Sequence, residues 1–118
     1  MKSLLLVGVG GMIGSMLRYL TIINFKNQMF PYGTLLVNVI GSFLIGILAG
    51  LVMKNTISPE LRLFAATGVC GGFTTFSALS AECLQLINEH KYGLALLYIF
   101  ISIALGITAA FCGWILTK

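Results

Sequence analysis

Long apolar runs separated by a few polar positions dominate this chain. Four stretches carry no charged side chain: residues 3–17, 27–53, 63–81 and 92–117. The first of them continues past a single Arg18 as an apolar segment. A helix that crosses the hydrocarbon layer of a bilayer needs about 20 such residues. The pattern therefore predicts four membrane-spanning helices with short connections, near residues 4–24, 33–53, 62–86 and 92–116.

Composition supports an all-α membrane protein that forms a single domain over residues 1–118. The chain is 58% hydrophobic and 8% charged, against roughly 25% charged residues in an average soluble domain. With so few polar side chains, most of the surface must face lipid. The net charge of +4 is scattered and includes no run of basic residues, so we expect membrane lipid, and no nucleic acid, as a partner.

The basic residues are distributed almost evenly between the two predicted membrane faces. One face has Lys2, Lys54, Arg62 and Lys118, and the opposite face has Lys26 and Lys91, with Arg18 as a third if it is counted. So small a bias leaves two possibilities open. The chain has one fixed orientation, or it inserts in both directions, so that two copies pair antiparallel.

Several glycines recur at a spacing of four residues, which places them on one face of a helix. They pair as Gly10 with Gly14, Gly46 with Gly50 and Gly68 with Gly72. In a bilayer, small residues let helix backbones approach closely, so these pairs predict helix contacts. The cysteines are far apart and His90 lies in a polar loop, so we predict no metal or nucleophilic enzyme site.

Some polar side chains are predicted to lie at membrane depth. Thr34, Asn38 and Ser42 form one stripe on the second span. Because an amide has two donors and two acceptor lone pairs to satisfy, Asn38 must face a partner helix, water or a permeating ion. The fourth span adds Tyr98 and Ser102 at the same spacing, and packing alone would also explain these two.

The middle of the third span is unusual, since Gly71-Gly72-Phe73-Thr74-Thr75 interrupts an apolar helix. This pattern predicts a local break, whose freed carbonyls would bind a cation or a partner chain. Arg18 and Glu82 are the charges that we expect near or inside the bilayer. Either side chain could extend its charged group to the membrane–water interface. An arginine at a pore mouth would also concentrate anions.

Three motifs together resemble a known family. They are Gly11-x-x-Gly14-x-x-x-Arg18-Tyr19, then Gly33-Thr34-Leu35-x-Val37-Asn38-x-x-Gly41-Ser42-Phe43-x-x-Gly46, then Gly71-Gly72-Phe73-Thr74-Thr75-Phe76-Ser77 followed by Glu82. In this order they are similar to the Fluc or CrcB fluoride channels over essentially the whole chain. The resemblance implies an antiparallel dual-topology dimer of four-helix subunits with two fluoride pores.

The resemblance also implies a central structural sodium ion, held by the backbone carbonyls of Gly71 and Thr74, and a vestibule arginine at Arg18. Together with the polar stripe, it leads us to expect pore-lining side chains at Thr34, Asn38, Phe76, Ser77, Leu79, Tyr98 and Ser102. Glu82 would be the carboxylate nearest to this path.

One position departs from the family pattern. Leu79 stands where the family's second pore phenylalanine is expected, and Ala78 stands where a threonine is common. The resemblance therefore leaves two assemblies open, a homodimer and a heterodimer with a related chain.

The resemblance implies a fluoride-selective channel of the cell membrane. Because no acid in the middle of a span is available to couple protons, passive conduction is favoured over coupled transport. Passive export of the anion would lower its concentration in the cytoplasm. The alternatives are a small proton-coupled multidrug exporter of similar length, which would need an acid deep in its first helix, and a non-conducting subunit of a heterodimeric channel.

Overall fold

The computed structural model describes residues 1–26 and 29–118, and the regular structure of these residues is helical. The elements are α1 (Lys2–Ile23), α2 (Tyr32–Met53), α3 (Pro59–Arg62), a π-helix (Leu63–Cys70), α4 (Gly71–Phe73), α5 (Phe76–Asn88) and α6 (Tyr92–Thr117). The predicted first connection, residues 24–31, falls partly outside the described residues.

Four of these helical stretches have the length and apolar character of membrane spans: Lys2–Ile23, Tyr32–Met53, Pro59–Asn88 and Tyr92–Thr117. The prediction of four helices long and apolar enough to be membrane spans is therefore confirmed, and their ends differ from the predicted ones by a few residues. The largest shift is at the start of the third span, where Ser58 caps the helix by accepting a hydrogen bond from the Leu61 N–H. Pro59 follows in the first turn, where its missing N–H costs no hydrogen bond.

The third span is broken, as its sequence predicts. It runs through the π-helix and the short α4, and then the backbone becomes extended at Thr74 (φ −88°, ψ 155°) and Thr75 (φ −154°, ψ 120°). Helix α5 begins directly afterwards at Phe76. Residues 59–73 therefore form a first half of the span and residues 76–88 a second half, with an irregular backbone between them.

Glycines bring the helix backbones together in two pairs. Helix α1 packs on the first half of the third span, where a Cβ atom on Gly10 would lie 2.5 Å from the Phe64 carbonyl oxygen. Helices α2 and α6 pack in parallel, and a Cβ atom on Gly46 would lie 2.8 Å from the Ala110 carbonyl carbon. Glycine is required at these crossings because a side chain would push the helices apart.

The buried core of the single chain is small. Cys83, Leu86, Ala95 and Tyr98 form its main cluster, and Leu79 packs against it. Many large apolar side chains remain exposed on every span, including Leu20, Phe100 and Leu116. An apolar exterior around so small a core is typical of a helix bundle in lipid.

Candidate functional site

The break in the third span is fastened to the second span by one side chain. Asn38 donates from Nδ2 to the Thr75 carbonyl at 3.1 Å, and its Oδ1 accepts from the Thr75 N–H at 2.7 Å. In a continuous helix the Thr75 N–H would donate to the Gly71 carbonyl. The carboxamide therefore replaces a helical hydrogen bond and leaves that carbonyl without its usual partner.

Thr75 also starts the second half of the span. Its Oγ1 accepts from the Ala78 N–H at 3.1 Å and lies 3.2 Å from the Ser77 Oγ, which is the arrangement of a helix N-cap. The next residue, Phe76, is 79% exposed in the single chain. An aromatic ring at the break is thus presented on the outside of the subunit.

An open groove of about 290 Å³ runs along the break. Its wall contains side chains that the sequence predicts for this region, together with Ile45 and Ala110. The predicted ones are Asn38, Ser42, Thr74, Thr75, Phe76 and Leu79. Gly41 makes room for the Thr74 side chain, whose Cγ2 occupies the space where a Cβ atom would stand. The groove is polar along the α2 stripe and aromatic or aliphatic on the α5 side.

A second group of predicted residues forms a hydrogen-bonded triad one helical turn away. The Glu82 carboxylate accepts from Thr34 Oγ1 at 2.9 Å on one oxygen and from the Tyr98 hydroxyl at 2.9 Å on the other. Both donors are fully buried. Two hydroxyls thus stabilise one partly buried carboxylate inside the bundle.

The triad lies beside a second cavity, of about 140 Å³, whose lining includes Thr34, Glu82, Gln85, Lys26 and Glu89. Glu89 lies just beyond the end of α5, where it pairs with Lys91 at 3.2 Å. The hydrogen bond from Lys91, with a second one from Gln85, lowers the pKa of the Glu89 carboxyl. This cavity therefore has charged groups of both signs at its rim.

Arg18 makes a contact that the sequence did not indicate. Its Nε donates to the Gly72 carbonyl at 3.1 Å, across 54 positions of the chain. The sequence suggested an interfacial or pore-mouth arginine, and neither interpretation included a bond to the break. The contact arises because α1 lies directly on the third span at Gly14, one helical turn before Arg18.

Two further predicted residues, Ser102 and Gly71, lie outside the contacts described above. Ser102 is on α6, one turn after Tyr98, and its hydroxyl is buried with no hydrogen-bond partner among the described residues. Gly71 is exposed, and the nearest atom to a Cβ there would be the Ala66 carbonyl oxygen at 3.8 Å. Within residues 1–26 and 29–118, no cluster of His, Cys, Asp or Glu side chains could hold a metal ion.

Sequence reasoning found most members of the site but not their partners. The sequence pattern places Thr75 only within the predicted break, yet it is the residue that Asn38 binds. The grouping of Thr34 and Tyr98 around Glu82 was also missed. The one available signal was that Glu82 is a carboxylate inside an apolar span, which must find donors.

The fold and the site together define a four-span helical membrane protein whose third span is interrupted beside a polar groove. Comparison with known proteins gives the family. The sequence matches the model of the family described as "CrcB-like protein, Camphor Resistance (CrcB)" over residues 5–114. The chain belongs to this family, and it is a multi-pass protein of the cell membrane.

Curated relatives match along nearly the whole chain. A protein of Flavobacterium psychrophilum is 44% identical, covering 100% of this chain and 98% of the relative. One from Rhizobium meliloti is 47% identical with the same coverage. A third, from Thermus thermophilus, is 48% identical and covers 97% of this chain and 94% of the relative. Each of the three is named a fluoride-specific ion channel.

Proposed function

We propose that this chain forms a fluoride-selective channel that exports the anion passively from the cytoplasm. Membership of the CrcB family over residues 5–114, with relatives named as fluoride-specific channels at 44–48% identity, is the observation that carries the proposal. These relatives are ion channels by name, in agreement with the prediction that the chain is not an enzyme.

The polar stripe of α2 is the proposed route of the ion. Thr34 lies at the 140 Å³ cavity, and Asn38 and Ser42 lie in the groove at the break, so the stripe links the two spaces. Fluoride is small and strongly hydrated and needs donors in place of water. The second amide hydrogen of Asn38 and the hydroxyls of Ser77 and Ser102 supply them, and the edge of the Phe76 ring is electropositive.

Conduction down the gradient requires no coupled proton. Glu82 is the acid of the third span near this route, and its two oxygens already accept from Thr34 and Tyr98. The first helix contains no Asp or Glu, so an exporter that exchanges protons at an acid of that helix has no support. Neutral hydrogen fluoride crosses lipid and ionises inside the cell, and a passive channel lets the trapped anion leave.

The proposed functional unit is an antiparallel dual-topology dimer. In the single chain the Phe76 ring is 79% exposed, and the groove beside it is open on one side. A second subunit on this face would enclose both. The exposed Gly71 and the nearly even distribution of basic residues between the two membrane faces also support pairing in opposite orientations.

A structural sodium ion is proposed at the break on the dimer axis. The break takes the Gly71 and Thr74 carbonyls away from their helical donors, because the Thr75 N–H bonds to Asn38 and the Ala78 N–H bonds to Thr75 Oγ1. Hard cations prefer oxygen ligands of this kind. The two carbonyls of each subunit would hold the ion, whose positive charge would offset the negative C-terminal end of the first half of the span in each subunit.

The partner in the dimer is either a second copy or a related chain. Leu79 is the residue on which the choice between these partners depends. It lines the groove and also packs against the buried cluster around Tyr98. The leucine fills its place without offering an electropositive ring edge. A related chain with a phenylalanine there would supply what this one lacks.

Fluoride efflux from liposomes that contain only this purified chain tests the proposal. We expect the liposomes to release fluoride on addition of a potassium ionophore and to retain chloride under the same conditions. Equal chloride release would contradict a fluoride-selective channel. If no fluoride is released, reconstitution with a related chain that has phenylalanine at this position distinguishes a heterodimer from a failure of the function itself.

Gly71→Leu tests the dimer separately. The single chain has room for a side chain there, since a Cβ atom would make only ordinary contacts. We expect the variant to fold but to elute as a monomer in detergent. Gly93→Leu, at a position equally open within the chain, should remain dimeric. A dimeric Gly71→Leu would place the subunit interface elsewhere.

A further inference from the structure

The break in the third span leaves several peptide groups without helical partners, and side chains satisfy some of them. The Thr75 N–H and carbonyl bond to Asn38, and the Ala78 N–H bonds to the Thr75 hydroxyl. The Gly72 carbonyl would accept from the Phe76 N–H in a continuous helix. Here it accepts from Arg18 Nε at 3.1 Å.

Arg18 lies at the end of the first half of the third span, residues 59–73. The C-terminal end of a helix carries the negative end of its dipole and its last carbonyls lack partners. A guanidinium that donates to one of these carbonyls is a side-chain cap of that end. Inside a membrane the cap matters more than in water, because no solvent replaces the lost hydrogen bond.

The backbone of α1 holds Arg18 in register with the break. A Cβ atom on Gly14 would lie 2.8 Å from the Phe73 nitrogen, and one on Gly72 would lie 2.5 Å from the Gly11 carbonyl oxygen. These contacts fix the axial position of α1 along the third span to within a fraction of a helical turn. Arg18 follows Gly14 on the same face of α1, so its side chain reaches the break without freedom to move along it.

We propose that Arg18 is a positioning residue, which caps the first half of the third span at the Gly72 carbonyl and fixes the break that presents Phe76. The role goes beyond that of a cation that collects anions in a vestibule. It also accounts for the Gly72 carbonyl, which the break frees and Arg18 engages, whereas the carbonyls of Gly71 and Thr74 are left for the proposed cation. The effect on conduction rests on the proposed function, whereas the cap itself does not.

Three substitutions separate the hydrogen bond from the charge. Gln places an amide nitrogen the same number of bonds from Cα as Arg Nε, so Arg18→Gln keeps the donor and removes the charge. Arg18→Lys keeps the charge and offers its donor one bond further out. Arg18→Met has similar reach but neither property. Arg62→Met is the matched control, because Arg62 is an exposed arginine at the end of α3.

The first readout does not depend on fluoride. Gly72-Phe73 is the single Gly-Phe pair in the sequence, so protein labelled with carbonyl-13C glycine and 15N phenylalanine gives one isolated NMR signal for the Gly72 carbonyl. We expect its shift to be nearly unchanged in Arg18→Gln and Arg62→Met and to move in Arg18→Met and Arg18→Lys. An unchanged shift in Arg18→Met, or a moved one in Arg18→Gln, would overturn the cap.

The second readout is the initial rate of fluoride efflux from liposomes. We expect Arg18→Gln to retain the wild-type rate within about threefold, and Arg18→Lys and Arg18→Met to lose about tenfold, the effect of one hydrogen bond from a charged donor. An anion collector predicts the opposite order, with Lys above Gln. If Arg18→Met does not fold, the Gln and Lys variants still decide, since equal rates or the order Lys above Gln would overturn the proposal.

Discussion

Asn38 and Thr75 are joined by two hydrogen bonds, in which one carboxamide binds both the N–H and the carbonyl of one residue. The pair connects the second span to the break in the third span across 37 positions of the chain. Because both backbone groups of Thr75 are taken, the extended residue between the two half-helices is rigidly held. The same amide keeps one N–H for the groove, so a single side chain links the architecture of the break with the proposed path.

Asn38→Asp should abolish fluoride flux while the subunits remain folded and paired. The aspartate keeps an acceptor for the Thr75 N–H, but it replaces the donor to the Thr75 carbonyl with a negative charge in the path of an anion. Asn38→Ala should also lower the flux by at least about tenfold, because it leaves the N–H and the carbonyl of Thr75, both partly buried, without their partner. Liposome efflux and size-exclusion elution measure the two effects.

Asn24→Asp is the control for the Asn38 variants. Asn24 is an exposed amide at the end of α1 that donates to the Leu20 carbonyl, so its replacement introduces the same charge far from the break. We expect wild-type flux from this variant. Wild-type flux from Asn38→Asp as well would mean that the polar stripe serves packing alone.

Tyr98→Phe should destabilise the bundle. It removes one of the two hydroxyls that donate to Glu82, and the loss of one hydrogen bond to a charged, partly buried group costs about 1–2 kcal/mol. Thermal unfolding in detergent should show a lower midpoint than for Tyr19→Phe, a change at an exposed tyrosine of α1.

Thr34→Val should have a similar effect, and the double variant should be non-additive because both hydroxyls bind one group. Unchanged midpoints in both single variants would show that Glu82 does not depend on these donors.

The spans and the break were predictable from the sequence because both depend on local pattern. Length and hydropathy define a membrane helix, and Gly-Gly followed by Thr-Thr is a local interruption of one. The partners at the break were not predictable in the same way. The Arg18–Gly72 and Asn38–Thr75 contacts depend on how far one helix is shifted along another, and the glycine contacts that set this shift are resolved only in three dimensions.

Gly46→Ala should weaken the pairing of α2 with α6. A single methyl group there would meet the backbone of Ala110, and forcing added volume into a packed contact costs about 1–3 kcal/mol. Gly93→Ala adds the same methyl group in the first turn of α6, where nothing lies within 4 Å, so it should leave stability unchanged or slightly raised. Urea or thermal unfolding monitored by circular dichroism compares the two. Equal stability of both variants would contradict the close approach at Gly46.

Leu79→Phe should raise the fluoride flux of the homodimer if the missing ring limits conduction. Leu79 lines the groove beside Phe76, and a phenyl group there would add an electropositive edge where the leucine offers only aliphatic hydrogens. Its other side packs on the cluster of Cys83, Leu86 and Tyr98, so the larger ring must extend into the open groove rather than into the core. Leu84→Phe, at an exposed position of the same helix, is the control for added bulk and should leave flux unchanged.

If the unmodified chain conducts poorly and Leu79→Phe does not raise its flux, while a related partner chain restores flux, the assembly is a heterodimer. Fast flux from the unmodified chain that Leu79→Phe leaves unchanged would show that Phe76 and the polar stripe suffice to guide the ion.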